Sequence, residues 1–138
     1  MLGDRLAQRL YPDAELLAHI RVRPRPGLPL VTVATIFDVP QVTANFEIEN
    51  VSPYTHISVS WITLNIGGAV HISLDKEITV PRGATRPVLS VRRPVTASQE
   101  SVLRSGARQE IRFEIGLVAG KRQLTKHEEI NRVIDAAP

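Results

Sequence analysis

The side chains of this chain that could do chemistry lack the spacing that chemistry requires. The four histidines (His19, His56, His71 and His127) lie far apart in the sequence, and none forms the close pairs that hold zinc. The serines lack the Gly-x-Ser-x-Gly context of an activated nucleophile. No glycine pattern suited to a phosphate-binding loop is present. We therefore expect no catalytic residue, cofactor or metal, and we predict that the protein is not an enzyme.

Arginines are better candidates for a binding surface. Arg21, Arg23 and Arg25 alternate near the N-terminus, and Arg92 and Arg93 belong to a second basic stretch. Guanidinium groups can bind an acidic protein surface or a phosphate, but charge on a strand edge can also serve to block unwanted pairing. Both interpretations stay open. The aromatic content of 4% leaves few rings for stacking on bases, which favours a protein partner over nucleic acid.

The N-terminal region differs from the rest of the chain. Leu2, Leu6 and Leu10 recur at the i, i+4 spacing of a short amphipathic helix, and a second helical turn is expected after Pro12. Residues 21–29 then contain three closely spaced prolines, which favours an extended spacer over a central strand. The leucines would pack on their own domain or reach a neighbouring subunit.

Alternating apolar residues predict strands through the middle of the chain. Val42, Ala44, Phe46 and Ile48 alternate with polar residues, and residues 110–118 repeat that period of two. Turn signals every eight to twelve residues make this the pattern of an all-β, antiparallel sandwich of the immunoglobulin or fibronectin-III type. Residues 30–37 are nearly continuously apolar and predict a strand buried on both faces.

Two local signals qualify this pattern. The apolar phase of residues 56–66 switches near Trp61, which predicts a β-bulge or a strand that crosses between sheets. Capping boxes begin at Thr96 and Thr125 and predict a helical turn through Leu103 and a C-terminal helix. The domain organisation that follows is an arm at 1–29, a sandwich at 30–118 and a helix at 119–138.

Three segments carry a resemblance to a known family. They are FEIENVSPY (46–54), SWITLNIGG (60–68) and VPRGAT (80–85). In this order they resemble the water-stress and hypersensitive-response (WHy) domain of late-embryogenesis-abundant proteins, which implies a fibronectin-III-like sandwich. The chain departs from that family's turn by keeping only Asn50 and Pro53, and residues 1–35 lie outside the similarity.

Length and charge set the remaining bounds. A chain of 138 residues can form one domain with its own core, and a net charge of +3 is mild. We see no membrane-spanning run and no signal peptide, so we expect synthesis in the cytoplasm and leave the final compartment open.

The expected function is that of a structural, non-catalytic interaction module. It would dock into a larger protein assembly, such as a filament, a virion or its tail, through the N-terminal arm and the sheet edges. The partner would be a second copy or another subunit, with no small-molecule substrate. The alternative is a monomeric WHy-like protein that protects clients or binds a ligand.

Overall fold

Two β-sheets, with two short helices at their margins, account for most of the chain. The computed structural model describes residues 12–53 and 55–136, except for the side chains of residues 89 and 90. In chain order the elements are α1 (Asp13–Ala18), β1 (Ile20–Pro24), β2 (Val31–Ile36), β3 (Val39–Asn50), β4 (Ile57–Ile66), β5 (Val70–Leu74), β6 (Ile78–Val80), β7 (Ala84–Pro94), α2 (Ala97–Leu103), β8 (Arg108–Ala119), β9 (Arg122–Val133) and β10 (Asp135–Ala136).

The first sheet is built around β3. One edge of β3 pairs with β7, while β1 and β2 share the other edge, β1 beside residues 46–50 and β2 beside residues 39–44. The short strand β10 extends this sheet by pairing in parallel with β2. The second sheet is built around β4 in the same way. Strands β5 and β6 share one edge of β4, β8 pairs with the other, and β9 forms a hairpin with β8 at the sheet margin.

The core lies between the two sheets and follows the predicted alternation. Val42, Ala44, Phe46 and Ile48 of β3 are all fully buried. Phe46 meets Phe113 of β8 edge to face, with 5.0 Å between ring centroids, a geometry that aromatic pairs prefer. The predicted fold class, an all-β sandwich, is confirmed.

Asn50, at the end of β3, ties the two layers together. Its side chain has 0% exposure and donates hydrogen bonds from Nδ2 to the carbonyl oxygens of Thr55 and Val80, at 2.8 and 3.1 Å. Its Oδ1 accepts the amide of Ser52 at 3.0 Å. Because Val80 belongs to β6 in the second sheet, one amide side chain closes the turn after β3 and links it to the opposite layer.

The predicted C-terminal helix is wrong. Residues 122–133 form β9, which pairs with β8 from Arg108 to Ala119. A capping box contributes about 1 kcal/mol to a helix, which the ladder and the packing of Leu124 and Ile130 against the core outweigh. The missed signal was Gly120, whose φ of 61° begins a two-residue hairpin turn between Ala119 and Arg122.

Two predictions for the N-terminal half also need correction. Residues 20–24, assigned to the arm, form β1 within the sandwich, with Ile20 and Val22 buried. Their period of two was masked by the prolines, of which only Pro24 lies in β1, at its last position. Strand β2 is not buried on both faces, because its side chains alternate between buried and partly exposed. The predicted helical turn after Pro12 is present as α1.

The phase switch at Trp61 is a β-bulge. Val59 pairs with Leu117 and Trp61 with Gly116, so Ser60 is an extra residue in β4. The bulge keeps Ile57 and Ile62 on the buried side despite their odd spacing, and the strand stays within one sheet. Among the described helices, none is long and apolar enough to span a membrane.

Candidate functional site

The predicted partner-binding residues do not form one surface. Leu2, Leu6 and Leu10 lie outside the described residues. Arg21 and Arg23 lie on β1, opposite Glu49 and Glu47 of β3. Arg25 lies in the loop after β1, where its backbone amide donates to the carbonyl oxygen of Asn45 at 3.5 Å.

Arg23 is engaged within the protein. Its Nε contacts the Glu47 carboxylate at 2.7 Å, and its Nη1 contacts that of Glu49 at 2.6 Å. The hydrogen bond to Glu47, reinforced by the charge of Glu49, raises the pKa of Arg23. The guanidinium group thus forms cross-strand ion pairs with β3. An external acidic partner would have to compete with Glu47 and Glu49 for it.

Arg92 and Arg93 lie apart from the β1 arginines. They are exposed on β7 and pair with Thr43 and Val42 of β3, whereas Arg21 pairs with Glu49 on the opposite edge of that strand. Six residues along β3 correspond to about 20 Å. The arginines are therefore two separate groups and not one anion-binding cluster.

The β2–β3 hairpin carries a feature that the sequence did not reveal. Phe37 and Asp38 form its two-residue turn, since Ile36 pairs with Val39. Both turn residues have positive φ, 51° for Phe37 and 64° for Asp38, and the Phe37 side chain is 95% exposed. We call Phe37, Asp38 and the partly exposed Val39 the hairpin tip. The sequence predicts Phe37 as the last residue of the strand at 30–37, because the turn contains none of the glycine or asparagine that normally marks one.

The hairpin tip is costly in stability. A left-handed backbone conformation disfavours L-residues with a Cβ by roughly 1–2 kcal/mol, and a bulky side chain there is an outlier. A ring that is almost wholly exposed gains little from burial in exchange. Positive φ at an exposed aromatic residue is the observation from which a hypothesis of function can be drawn.

We expect the double variant Phe37→Asn, Asp38→Gly to raise the free energy of unfolding by about 1–2 kcal/mol, because Asn-Gly is the preferred pair for such a turn. Urea unfolding followed by circular dichroism measures the change. The control is Phe37→Ala, which removes the ring but keeps a Cβ at positive φ, and should leave stability nearly unchanged. A loss of stability in the double variant would contradict the argument.

A second candidate surface is the outer face of the second sheet. Outward side chains of neighbouring strands line up in rows across it. One row contains Trp61, Gly116 and Thr125, and the next contains Thr63, Glu114 and His127. An open depression of about 330 Å³ lies over the second row and another of about 460 Å³ lies beside Trp61. We call these two rows the outer platform.

Trp61 lies flat on the sheet at the outer platform. A Cβ atom added at Gly116 would overlap the indole Nε1 and Cε2 atoms, so the indole occupies the space above the glycine backbone. Gly116 is buried as a result, although it points away from the core, while Trp61 itself remains partly exposed. The bulge at Ser60 is what directs Trp61 outward.

Charged side chains border the outer platform. The Arg112 Nε contacts the carboxylates of Glu110 and Glu129 at 2.8 and 3.6 Å. The hydrogen bond from Arg112 holds the pKa of Glu110 below its ordinary value. Any stability from this exposed pair is therefore present above the usual glutamate range and is lost as the pH falls through the lowered pKa.

The histidines take separate roles. His127 Nδ1 lies 3.3 Å from Glu114 Oε1 on the outer platform, and His71 lies near it, 3.3 Å from the Ser73 hydroxyl. His56 accepts the amide of Arg82 at 3.1 Å near the other end of β4. Within residues 12–53 and 55–136, no three histidine, aspartate or glutamate side chains are grouped to hold a metal ion.

Comparison with known proteins identifies the fold alone. No protein family model matches this chain, and no curated protein matches it. A crystal structure of a Northeast Structural Genomics Consortium target is similar over 89% of this chain and 90% of its own, with a TM-score of 0.55 and 9% identity. A crystal structure of a protein from Archaeoglobus fulgidus aligns over 81% of this chain and 92% of its own, with a TM-score of 0.42 and 16% identity. At 9% identity, the first similarity supports the β-sandwich architecture only.

Proposed function

We propose that this protein is a non-catalytic interaction module that docks into a larger protein assembly through its hairpin tip. The observation that carries the proposal is Phe37, an exposed aromatic side chain on a turn with positive φ. Aromatic side chains that enter a pocket of the partner supply much of the binding energy at protein interfaces. A rigid two-residue turn presents the ring with little conformational entropy left to lose.

The tip suits a protein better than a membrane. Asp38 stands beside Phe37, and its carboxylate is repelled by anionic headgroups. A single ring also buries too little apolar area to hold a domain on a bilayer. A pocket with an apolar floor and a hydrogen-bond donor at its rim matches both turn residues.

Two edge strands, β9 and β7, are less suited to docking than the tip. Lys126 and Glu128 of β9 are partly buried and form an ion pair at 3.5 Å, on the side of the strand that also carries Leu124 and Ile130. Charges that point inward on an edge strand discourage the addition of another strand. Strand β7 contains Pro87 and ends at Pro94, and proline removes a donor for pairing.

Photo-crosslinking tests the proposal. A photoreactive phenylalanine at position 37 of the full chain, produced in its native cells, should crosslink to one protein of defined mass. The same residue in place of Val102, a 38% exposed side chain on α2, is the matched control and should not capture that protein. A product of twice the chain mass would identify a second copy as the partner.

Binding measurements with the purified proteins then give the contribution of Phe37 to the affinity. Phe37→Ala should weaken the affinity for the captured protein by about tenfold or more, as expected for an aromatic anchor, while Val102→Ala should leave it unchanged. Equal crosslinking at positions 37 and 102, or no effect of Phe37→Ala, would contradict docking through the tip.

A further inference from the structure

We propose that the outer platform binds a neutral carbohydrate chain, with the indole of Trp61 stacked on a sugar ring. This inference is independent of the hairpin tip, because the tip belongs to the first sheet and the platform to the second.

The first reason is the way Trp61 is held. The indole packs one face against the backbone of Gly116, and the side chain remains partly exposed. A ring supported in this way needs no rearrangement to accept a flat apolar surface on its free face. The C–H groups on one side of a pyranose ring form such a surface, while its hydroxyl groups point outward around the rim.

The second reason is the chemistry of the neighbouring row. Thr63, Glu114 and His127 lie two residues along the strands from Trp61 and Gly116, a displacement of about 7 Å. This distance is comparable with the length of one sugar unit. The threonine hydroxyl can both donate and accept a hydrogen bond, and the carboxylate accepts. A neutral imidazole donates from one ring nitrogen and accepts at the other. Sugar hydroxyls require this mixture of donors and acceptors.

The third reason is the charge of the surface. Glu110, Glu114 and Glu129 share this face with Arg108 and Arg112, so the negative charges outnumber the positive ones by one. Phosphate and sulfate groups would be repelled, which excludes nucleic acids and acidic polysaccharides as the favoured ligand. A cationic ligand fits less well, because Arg112 already contacts Glu110 and Glu129. Trp61 is also the only tryptophan of the chain, whereas quaternary ammonium groups are typically bound in cages of several rings.

The shape of the platform favours a polymer over a small molecule. The two depressions are open and lie over neighbouring rows of one sheet face. Sites for small ligands typically enclose most of the ligand surface. An open platform leaves both ends of a bound segment free, as a chain of sugar units requires.

Affinity electrophoresis of the full chain tests the proposal. The gels contain soluble neutral polysaccharides (hydroxyethyl cellulose, xyloglucan, glucomannan, arabinoxylan or dextran), and parallel gels contain heparin or polylysine. We expect at least one neutral polymer to retard the protein. Any retardation by heparin would come from exposed arginines outside the platform, such as Arg92 and Arg93, and should be unchanged in Thr63→Val. Oligosaccharides of the retarding polymer should change the fluorescence of Trp61, which reports on the platform directly.

Matched variants locate the binding on this face. Thr63→Val removes one hydroxyl from the platform and should weaken binding by roughly tenfold, whereas Thr43→Val makes the same change on β3 of the first sheet and should not. Trp61→Phe keeps an aromatic ring near Gly116 and should weaken binding with the fold intact by circular dichroism. The proposal is overturned if no neutral polymer retards the protein, if only heparin or polylysine does so, or if Thr63→Val and Thr43→Val bind alike.

Discussion

Replacing Asn50 by Asp should lower the free energy of unfolding by about 3 kcal/mol at pH 7. The asparagine Nδ2 donates to the carbonyl oxygens of Thr55 and Val80 in a fully buried site. A carboxylate keeps the acceptor for the Ser52 amide but places negative charge against those two oxygens. The loss combines two unsatisfied carbonyl groups with the burial of a charge.

The pH dependence of this loss identifies its cause. Burial beside two carbonyl oxygens raises the pKa of the introduced carboxyl group in the folded state, because both effects disfavour the charged form. Its protonated form can donate to one carbonyl. The deficit should therefore be smallest below the ordinary aspartate pKa of about 4 and should grow as the pH rises through the raised pKa.

Asn65→Asp is the matched control for that experiment. The Asn65 Oδ1 also accepts a backbone amide, that of Gly68 at 3.0 Å, but at an exposed turn. Aspartate retains this acceptor, so the change should alter stability by less than about 0.5 kcal/mol. Urea unfolding of both variants at pH 4 and pH 7 makes the comparison, and an Asn50→Asp deficit that is equal at both pH values would refute the argument from charge.

The second large effect concerns the contact between Trp61 and Gly116. Gly116→Ala should lower the free energy of unfolding by about 2 kcal/mol, because the added methyl group overlaps the indole and forces it from its place. In a Trp61→Ala background the same change should be neutral or should stabilise by about 0.5 kcal/mol, since alanine is favoured over glycine in a strand.

A double-mutant cycle measures this coupling. The four proteins are the wild type, both single variants and the double variant, each studied by urea unfolding. The expected interaction energy of about 2 kcal/mol lies within the range for side chains in direct contact. Independent effects of the two changes would mean that the indole does not rest on Gly116, and would remove the support for the outer platform.

The pattern of apolar residues predicted the fold well because it depends on a local rule. Alternate residues are buried from Val42 to Asn50 of β3 and from Ile111 to Ala119 of β8, as the period of two requires. The capping box at Thr96 was equally informative. Thr96 accepts the amide of Gln99, and Gln99 accepts that of Thr96, at the start of α2.

The capping-box rule failed at Thr125 because it takes no account of a neighbouring strand that can pair with the same segment. Thr125 and Glu128 have the residue types of a capping box, yet they pair with Gly116 and Phe113 of β8. Whether such a segment becomes helix or strand depends on the strand beside it. That neighbour, β8, comes directly before the segment in sequence, and Gly120 between the two strands was the signal that they would pair.

The two candidate surfaces were predicted least well. The arginines are predicted from the sequence as two basic stretches. Pairing with β3 places Arg21 and Arg92 on opposite edges of that strand and brings Arg23 to Glu47, a contact that the sequence did not indicate. Phe37 and Trp61 were interpreted as apolar strand residues. At a turn without glycine or asparagine, residue type does not mark the positive φ, and it does not mark the side of a bulge from which a ring emerges.

The sequence by itself determined that this protein hides alternate residues between two sheets, because the two faces of a strand differ in their access to water. It also determined where most strands turn, through glycine and proline. Only the tertiary structure decided that Phe37 is exposed at the hairpin tip, that Trp61 lies across Gly116, and that Asn50 links the two sheets. These three features depend on contacts between segments distant in sequence, or on the backbone geometry that pairing imposes.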